Sequence, residues 1–233
     1  MLIATMPPAD HTLTHYAPPA GLPRLVHEDA DLLVVDKPSG LLSVPGRRPE
    51  HHDSALLRLQ KAFGVLWVVH RLDMDTSGLM AFARSREAAA HLGRQFERRT
   101  VRKRYEAVVW GCPPSRQATI TLPLRLDWPH RPRQLVDATQ GKPALTRVEC
   151  IHRATPQSRL LLTPVTGRSH QLRVHLSAIG LPIVGDRFYG IEADGRMKAL
   201  ASAGTRLCLH ARDLELQQPG TGQTRAWTAP APF

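Results

Sequence analysis

Two short polar segments hold most of the side chains that could do chemistry. The first, His70-Arg71-Leu72-Asp73-Met74-Asp75-Thr76-Ser77-Gly78, carries two carboxylates, a guanidinium and an imidazole directly after an apolar stretch. A carboxylate placed there could attack an electrophile or take a proton. As a residue type it could equally be solvated or cap a turn. Asp75 is read as a loop-capping residue, with Thr76, Ser77 and Gly78 fixing the loop through side-chain-to-backbone hydrogen bonds. The second segment, Gly167-Arg168-Ser169-His170-Gln171-Leu172-Arg173-Val174-His175, puts a cation on the opening turns of a helix. The helix dipole opposes a cation there, so it needs an anion nearby unless it lies on a solvated face. Tyr105, after Arg102-Lys103-Arg104, is by type alone a half-buried strand tyrosine.

The elements that must position these groups follow from apolar spacing and breakers. Leu32-Leu33-Val34-Val35 reads as a short buried strand ended by Lys37-Pro38-Ser39-Gly40. Ser54 to Phe63 reads as a helix capped by Asp53 or Ser54, with Leu56, Leu59 and Phe63 on one face and Gly64 as its stop. Trp67 to His70 and Leu79 to Ala83 read as strands on either side of the first polar segment. A second helix starts at Ser85, with Ala89, Leu92 and Phe96 at helical spacing. Tyr105 to Trp110, Ala118 to Leu122, Leu145 to His152 and Leu160 to Val165 are further strands, and Arg125 to Arg133 reads as a surface loop. A third helix covers Ser169 to Ile179 and ends at Gly180 and Pro182. Strands at Leu207 to His210 and Leu214 to Leu216 close the chain. Hairpin-spaced strands with few helices favour an α+β fold over a doubly wound sheet. Residues 1–23 hold five prolines and read as an extended or disordered arm, leaving 24–233 as one domain.

Familiar catalytic machines are missing. No His-Glu-x-x-His occurs among the 12 histidines, and His170 and His175 are too far apart to share a helix face as metal ligands. Gly167-Arg168-Ser169-His170-Gln171 approximates a nucleophile elbow for an acyl hydrolase using Ser169, but Gln stands where the turn needs glycine. Gly141-Lys142-Pro143 lacks the rest of a phosphate loop, and there is no Gly-x-Gly-x-x-Gly. An enzyme with this sequence is expected to work without metal, nucleotide or other cofactor.

Lys plus Arg number 31 against 20 Asp plus Glu, a net charge of +11, which makes nucleic acid the leading partner class. No apolar run approaches the roughly 20 residues that span a bilayer, so no membrane role is expected. Three scattered cysteines make neither a disulfide framework nor a metal knuckle, which suits a soluble protein of the reducing cytoplasm. Positive charge concentrates in Arg94, Arg98, Arg99, Arg102, Lys103 and Arg104, with Arg47-Arg48 and Arg131-Pro132-Arg133 as two further basic loops. Three such runs together favour phosphate contacts over a solvated face.

Taken together, the two polar segments resemble the RluA-type pseudouridine synthases, whose hallmark is a His-Arg-Leu-Asp-x-x-Thr-Ser-Gly loop. Lys37-Pro38-Ser39-Gly40-Leu41, Lys103-Arg104-Tyr105, Pro182-Ile183-Val184-Gly185-Asp186 and Leu207-Cys208-Leu209-His210-Ala211 follow in the family's order, so the resemblance spans Leu25 to Pro230. Ser169 stands where many members have Thr. Further details, among them Leu42 to Arg47, Asp127-Trp128-Pro129 and Asp186-Arg187-Phe188-Tyr189, resemble the branch acting on both 23S rRNA and a tRNA anticodon loop.

The resemblance implies a mixed, mainly antiparallel sheet with flanking helices and no S4 domain, acting as a cytoplasmic monomer. It implies that Asp73 is the catalytic carboxylate, attacking the ribose or abstracting a sugar proton, and that Arg173 holds it ionised. Tyr105 would stack on the uracil and help remove the C5 proton. A stacked uridine is out of reach, so it must be extruded; Arg71 would fill the gap, where the alternative is a structural salt bridge. His70, Arg47, Arg99, Arg102, Lys103, Arg168 and His170 complete the expected RNA-binding and base-flipping set. Trp128 is placed either as a base-stacking platform or as a loop anchor. The competing reading is a catalytically inactive RNA-binding or ribosome-assembly protein of the same fold.

Overall fold

The computed structural model describes residues 16–190 and 206–233. Its centre is a ten-stranded, mainly antiparallel sheet, built first from β1 (Arg24–Glu28), β2 (Leu32–Lys37), β3 (Trp67–Val68) and β4 (Ser77–Ala83). It continues through β5 (Arg102–Trp110), β6 (Gln117–Ile120), β9 (Thr146–His152), β10 (Gln157–Pro164), β11 (Leu209–Gln217) and β12 (Thr224–Thr228). β7 (Leu124–Leu126) and β8 (Gln134–Val136) form a separate hairpin. The main path runs β1-β2-β4-β11-β5-β10-β9-β6, with β3 on β4 and β12 on β11.

Both faces of the first half of the sheet are covered, which is why Leu32 to Val35 of β2 read as an unbroken apolar run. Leu33 and Val35 pack under α1 (Ala55–Phe63) with Ala55 and Leu59, while Leu32 and Val34 pack toward α2 (Arg86–Glu97) with Ala88 and Leu92. The hydroxyls of Ser54 and Ser85 accept the backbone N–H groups of Leu57 and Ala88, capping the two helices. In the second half, α3 (Gln171–Ala178) lays Leu172 and Leu176 on a core from β5, β9, β10 and β11.

The α+β reading and all three helices agree with the sequence. Several boundaries do not. The strand expected over Trp67 to His70 stops at Val68. Of the loop expected over Arg125 to Arg133, Arg125 and Leu126 belong to β7, and β8 begins directly after it, so 127–133 is loop. The two strands expected near the end are one, β11, interrupted by a bulge between Ala211 and Asp213 that breaks the alternation. Tyr16, within the expected arm, donates its hydroxyl to the Asp53 carbonyl and accepts from Leu42 N–H. Among the described residues no helix is long and apolar enough to cross a membrane.

The one parallel pairing in the sheet among the described residues, His210 and Ala211 of β11 against Ser77 and Gly78 of β4, brings the first polar segment beside the chain's last third. Gly78 has φ +115°, and a Cβ there would lie 2.3 Å from the Ala211 carbonyl oxygen, so no larger residue allows this approach.

Candidate active site

The segment 70–76 is a loop clamped from outside by 37–43. Lys37, fully buried, donates its ammonium to the carbonyls of Pro38 (2.9 Å), Leu41 (2.7 Å) and Met74 (3.0 Å). Burial pushes its pKa down to about 7, against the pull of Asp75 and Asp73. Ser43 donates its hydroxyl to the Leu72 carbonyl and accepts the Leu72 N–H, and Ser39 donates to the Asp75 carbonyl. The backbone on each side of Asp73 is thus fixed by groups that do not belong to its own segment. The expected local bracing by Thr76 and Ser77 does not occur: among the described residues the buried Thr76 hydroxyl has no partner. Ser77 instead accepts from Arg206 at 2.6 Å and donates to His210 Nδ1 at 2.9 Å. The Asp75 carboxylate accepts from Arg187 at 2.9 Å, an ion pair rather than a cap.

Asp73 opens into a cleft of about 1400 Å³ between the two halves of the sheet. Across it stands Arg173 of α3, whose Nη1 lies 3.6 Å from Asp73 Oδ2, joining the two polar segments in one site. The anion required by this buried cation is chiefly another residue. Asp186 receives two parallel bonds of 2.7 Å from Arg173, so Arg173 serves two carboxylates and Asp73 is the more distant. Burial would lower the Arg173 pKa, but Asp186 and then Asp73 outweigh it and keep the guanidinium charged. Asp186 is held low by the same contact and by the N–H groups of Phe188 and Tyr189, against the effect of burial. Arg173 also lies over the rings of Phe188 and Tyr189.

Tyr105 of β5 lines the cleft beside Asp73; burial, then the Asp73 charge, push its phenol pKa up, so it is a neutral ring. His170 stands at the start of α3 with Nε2 4.0 Å from Asp73 Oδ1. Arg71, Arg99, Arg102, Lys103 and Arg168 line the same cleft. Arg71 is exposed, and no salt bridge holds it among the described residues, so the structural-salt-bridge alternative has no support. Arg102 meets Glu215 at 3.3 Å, and Arg168 Nε donates to the Pro143 carbonyl at 3.2 Å. Lys103 lies over Phe96. Arg47 is exposed and outside the cleft lining.

His70 is turned inward. Its Nε2 accepts the Ala81 N–H at 2.9 Å, its ring stacks on Phe96 at 4.6 Å, and burial with the Lys103 charge pushes its pKa down to about 3. It ties the loop to β4. The exposed Trp128 carries Arg131 over its ring at 4.8 Å, at the end of the β7–β8 hairpin. Sequence reasoning missed Asp186, Tyr189, Lys37 and Ser43 as parts of the site. Asp186 and Lys37 had a signal of type: a helix-borne buried arginine demands a carboxylate, and Lys37 closes a strand whose first four residues are apolar.

With this geometry in view, comparisons with known proteins are informative. The RNA pseudouridylate synthase family matches residues 31–178. The dual-specificity RNA pseudouridine synthase RluA of Pasteurella multocida is 47% identical over 100% of this chain and 99% of its own length. The enzyme of that name from Escherichia coli is 46% identical over 90% of this chain and 93% of its own. Human RNA pseudouridylate synthase domain containing 1 superposes with a TM-score of 0.76 at 32% identity, covering 93% of this chain and 87% of the human one.

Proposed function

This chain belongs to the RNA pseudouridylate synthase family and isomerises uridine in RNA, and we propose that Asp73 is the carboxylate that starts the reaction. The isomerisation breaks the bond between ribose C1′ and uracil N1, turns the base, and joins C5 to C1′. The C5 proton is lost and N1 gains one, so no redox partner or transferred group is needed.

The observation that carries the proposal is the 3.6 Å approach of Arg173 to Asp73, a hundred positions apart in sequence and facing one cleft. A carboxylate beside a buried guanidinium is kept ready to act on the ribose as the glycosidic bond breaks. Tyr105, held as a neutral phenol, serves as a stacking platform for the detached uracil. Arg71, at the cleft with no carboxylate partner among the described residues, enters the stack that the extruded uridine leaves. Arg99, Arg102, Lys103 and Arg168 along the cleft contact the phosphates, with Arg47 outside it as a peripheral contact. His70 orients the loop that carries Arg71.

The substrates we propose are stem-loops of 23S rRNA and of a tRNA anticodon arm, handled in the cytoplasm by a monomer whose residues 24–233 form the catalytic unit. RNA readers of this kind take single-stranded loops with splayed bases. Stem-loop transcripts tritiated at uracil C5 should release tritium with wild-type protein and no additive. Asp73→Asn should abolish release while binding the same RNA. Persisting turnover in Asp73→Asn would remove Asp73 from its role. Mapping pseudouridines in ribosomal and transfer RNA of a deletion strain would test the substrate pair.

A further inference from the structure

Arg99 and His170 are the two non-glycine residues with positive φ among the described residues, at 59° and 52°, and both line the cleft. Backbone held in this region costs free energy and persists where the surroundings enforce it. His170 is the sharper case because it occupies the N-cap position of α3, where Ser, Asp or Asn would satisfy an orphan N–H, and it makes no side-chain cap bond. Its imidazole is used elsewhere.

Nδ1 of His170 lies 2.5 Å from the Tyr189 hydroxyl, and that hydroxyl accepts the Gln134 N–H at 2.9 Å. A phenol has one proton to give. With the Gln134 N–H already donated to it, the Tyr189 hydroxyl has its own proton to offer Nδ1, an assignment that puts the ring hydrogen on Nε2. Burial keeps the Tyr189 phenol protonated and lowers the His170 pKa, in keeping with a neutral imidazole. Phe188 stacks on one face of the ring at 5.9 Å and Tyr189 meets it edge-on. The Nε2–H therefore faces Asp73 Oδ1 at 4.0 Å while Arg173 faces Oδ2 at 3.6 Å.

We infer that His170 is a positioning residue for Asp73: its Nε2–H, placed by Tyr189, governs one carboxylate oxygen as Arg173 governs the other. Distances of this size in a free enzyme tighten when substrate closes the site. This rests on Asp73 being the reacting carboxylate, and it adds a division of labour between its two oxygens. The relay Gln134 N–H to Tyr189 to His170 also ties the β7–β8 hairpin to the orientation of that carboxylate.

The test uses the full chain. In ¹⁵N-labelled wild-type protein, the long-range proton–nitrogen spectrum should show His170 protonated at Nε2; protonation at Nδ1 instead overturns the inference. His170→Asn suits the left-handed backbone and can cap the helix, so it should fold with an unchanged or raised unfolding midpoint. Its single-turnover tritium release should fall about thirtyfold, with RNA affinity within about twofold of wild type. Tyr189→Phe keeps the ring but removes the proton donor, and should lower the same rate about tenfold while releasing the fixed tautomer. A merely structural His170 would give a lowered midpoint and a wild-type rate per folded molecule, which overturns the inference. Asp73→Asn, run alongside, separates the two failures: turnover there defeats the proposed function. A dead Asp73→Asn beside a wild-type rate in His170→Asn defeats only this inference.

Discussion

The floor of the cleft and its rim use the same residue types, arginine and acid, to opposite ends. On the floor, Arg173 and Asp186 are 2% and 3% exposed and joined by two bonds of 2.7 Å, with Asp73 as a third member at 3.6 Å. On the rim, the Arg102 side chain is 80% exposed while meeting Glu215, and among the described residues Arg71 and Arg99 have no carboxylate partner. Buried charges are mutually committed, because losing one strands the other away from water. Exposed pairs contribute less than about 1 kcal/mol and exchange readily for a phosphate. The floor is preorganised and the rim is exchangeable, as a site that does one chemistry on a flexible polyanion requires.

The largest effect that could break this contrast is at Asp186. Asp186→Asn keeps the volume but leaves Arg173 with Asp73 as its nearest remaining carboxylate. We expect a stability loss of about 3–5 kcal/mol in urea unfolding, the usual consequence of halving a buried ion pair. The guanidinium should then collapse onto Asp73, and single-turnover tritium release should fall about a hundredfold with RNA affinity nearly unchanged. A loss under about 1 kcal/mol with normal turnover would place Asp186 with the rim.

Next in size is Arg71→Ala. Extruding a stacked base costs a few kcal/mol, so turnover on a folded stem-loop should fall about tenfold to a hundredfold, with a smaller loss of affinity. The penalty should shrink on an unstructured oligonucleotide carrying the same uridine. Equal penalties on both substrates would make Arg71 a phosphate contact like its rim neighbours.

The two regions also differ in how far the sequence reveals them. Helices α1 and α2 were legible because their signals are local: Ser54 and Ser85 as caps, Gly64 as a stop, apolar residues at helical spacing. The polar strand β12 and the bulge in β11 were not, since neither carries a period that a window could detect. The meeting of Asp73 with Arg173 came through the resemblance of motifs rather than any local rule. Asp186, the closer partner of Arg173, follows Gly185, where a Cβ would lie 1.9 Å from the Arg206 carbonyl oxygen. That contact is set by strand order, which no spacing encodes. The inward turn of His70 is hidden from the sequence for a related reason: it depends on Phe96 and Ala81, on a helix and strand that its own loop does not specify.

A third prediction uses pH. His70 is pushed down to about 3, and His170, His175 and His210 are lowered as well, each chiefly by burial. In the unfolded chain these imidazoles protonate near 6.5, while in the fold they stay neutral, so unfolding takes up protons below that pH. Their stabilising effect is complete above about 6.5 and is lost as pH falls toward the folded values. The lowered carboxylates, Asp29, Asp53, Asp137 and Asp186, add their own losses only below about pH 4. Urea unfolding should therefore weaken between about pH 6.5 and 5, by up to about 1.4 kcal/mol per pH unit for each histidine, and His70→Gln should flatten the slope. If RNA affinity of the folded protein changed as steeply as its stability there, floor and rim would not be separable by charge type.

The smallest effect, and the one with an unusual sign, is at Arg99. It ends α2 in a left-handed conformation with Arg99 N–H donating to Phe96 and Thr100 N–H to Gln95, a position that glycine occupies at no steric cost. Arg99→Gly removes about 1 kcal/mol of backbone strain, offset in part by the greater freedom of glycine in the unfolded chain. The unfolding midpoint should thus hold or rise slightly. Affinity for a stem-loop should nevertheless drop a fewfold, and the slope of log affinity against log salt should become shallower by about one, the signature of one lost phosphate contact. Stability and binding would then move in opposite directions on a single substitution, whereas at Asp186 on the floor stability falls while RNA affinity holds. An unchanged salt slope in Arg99→Gly would mean that the strained arginine faces the cleft without touching the RNA, and that the rim's grip lies with Arg102 and Lys103 instead.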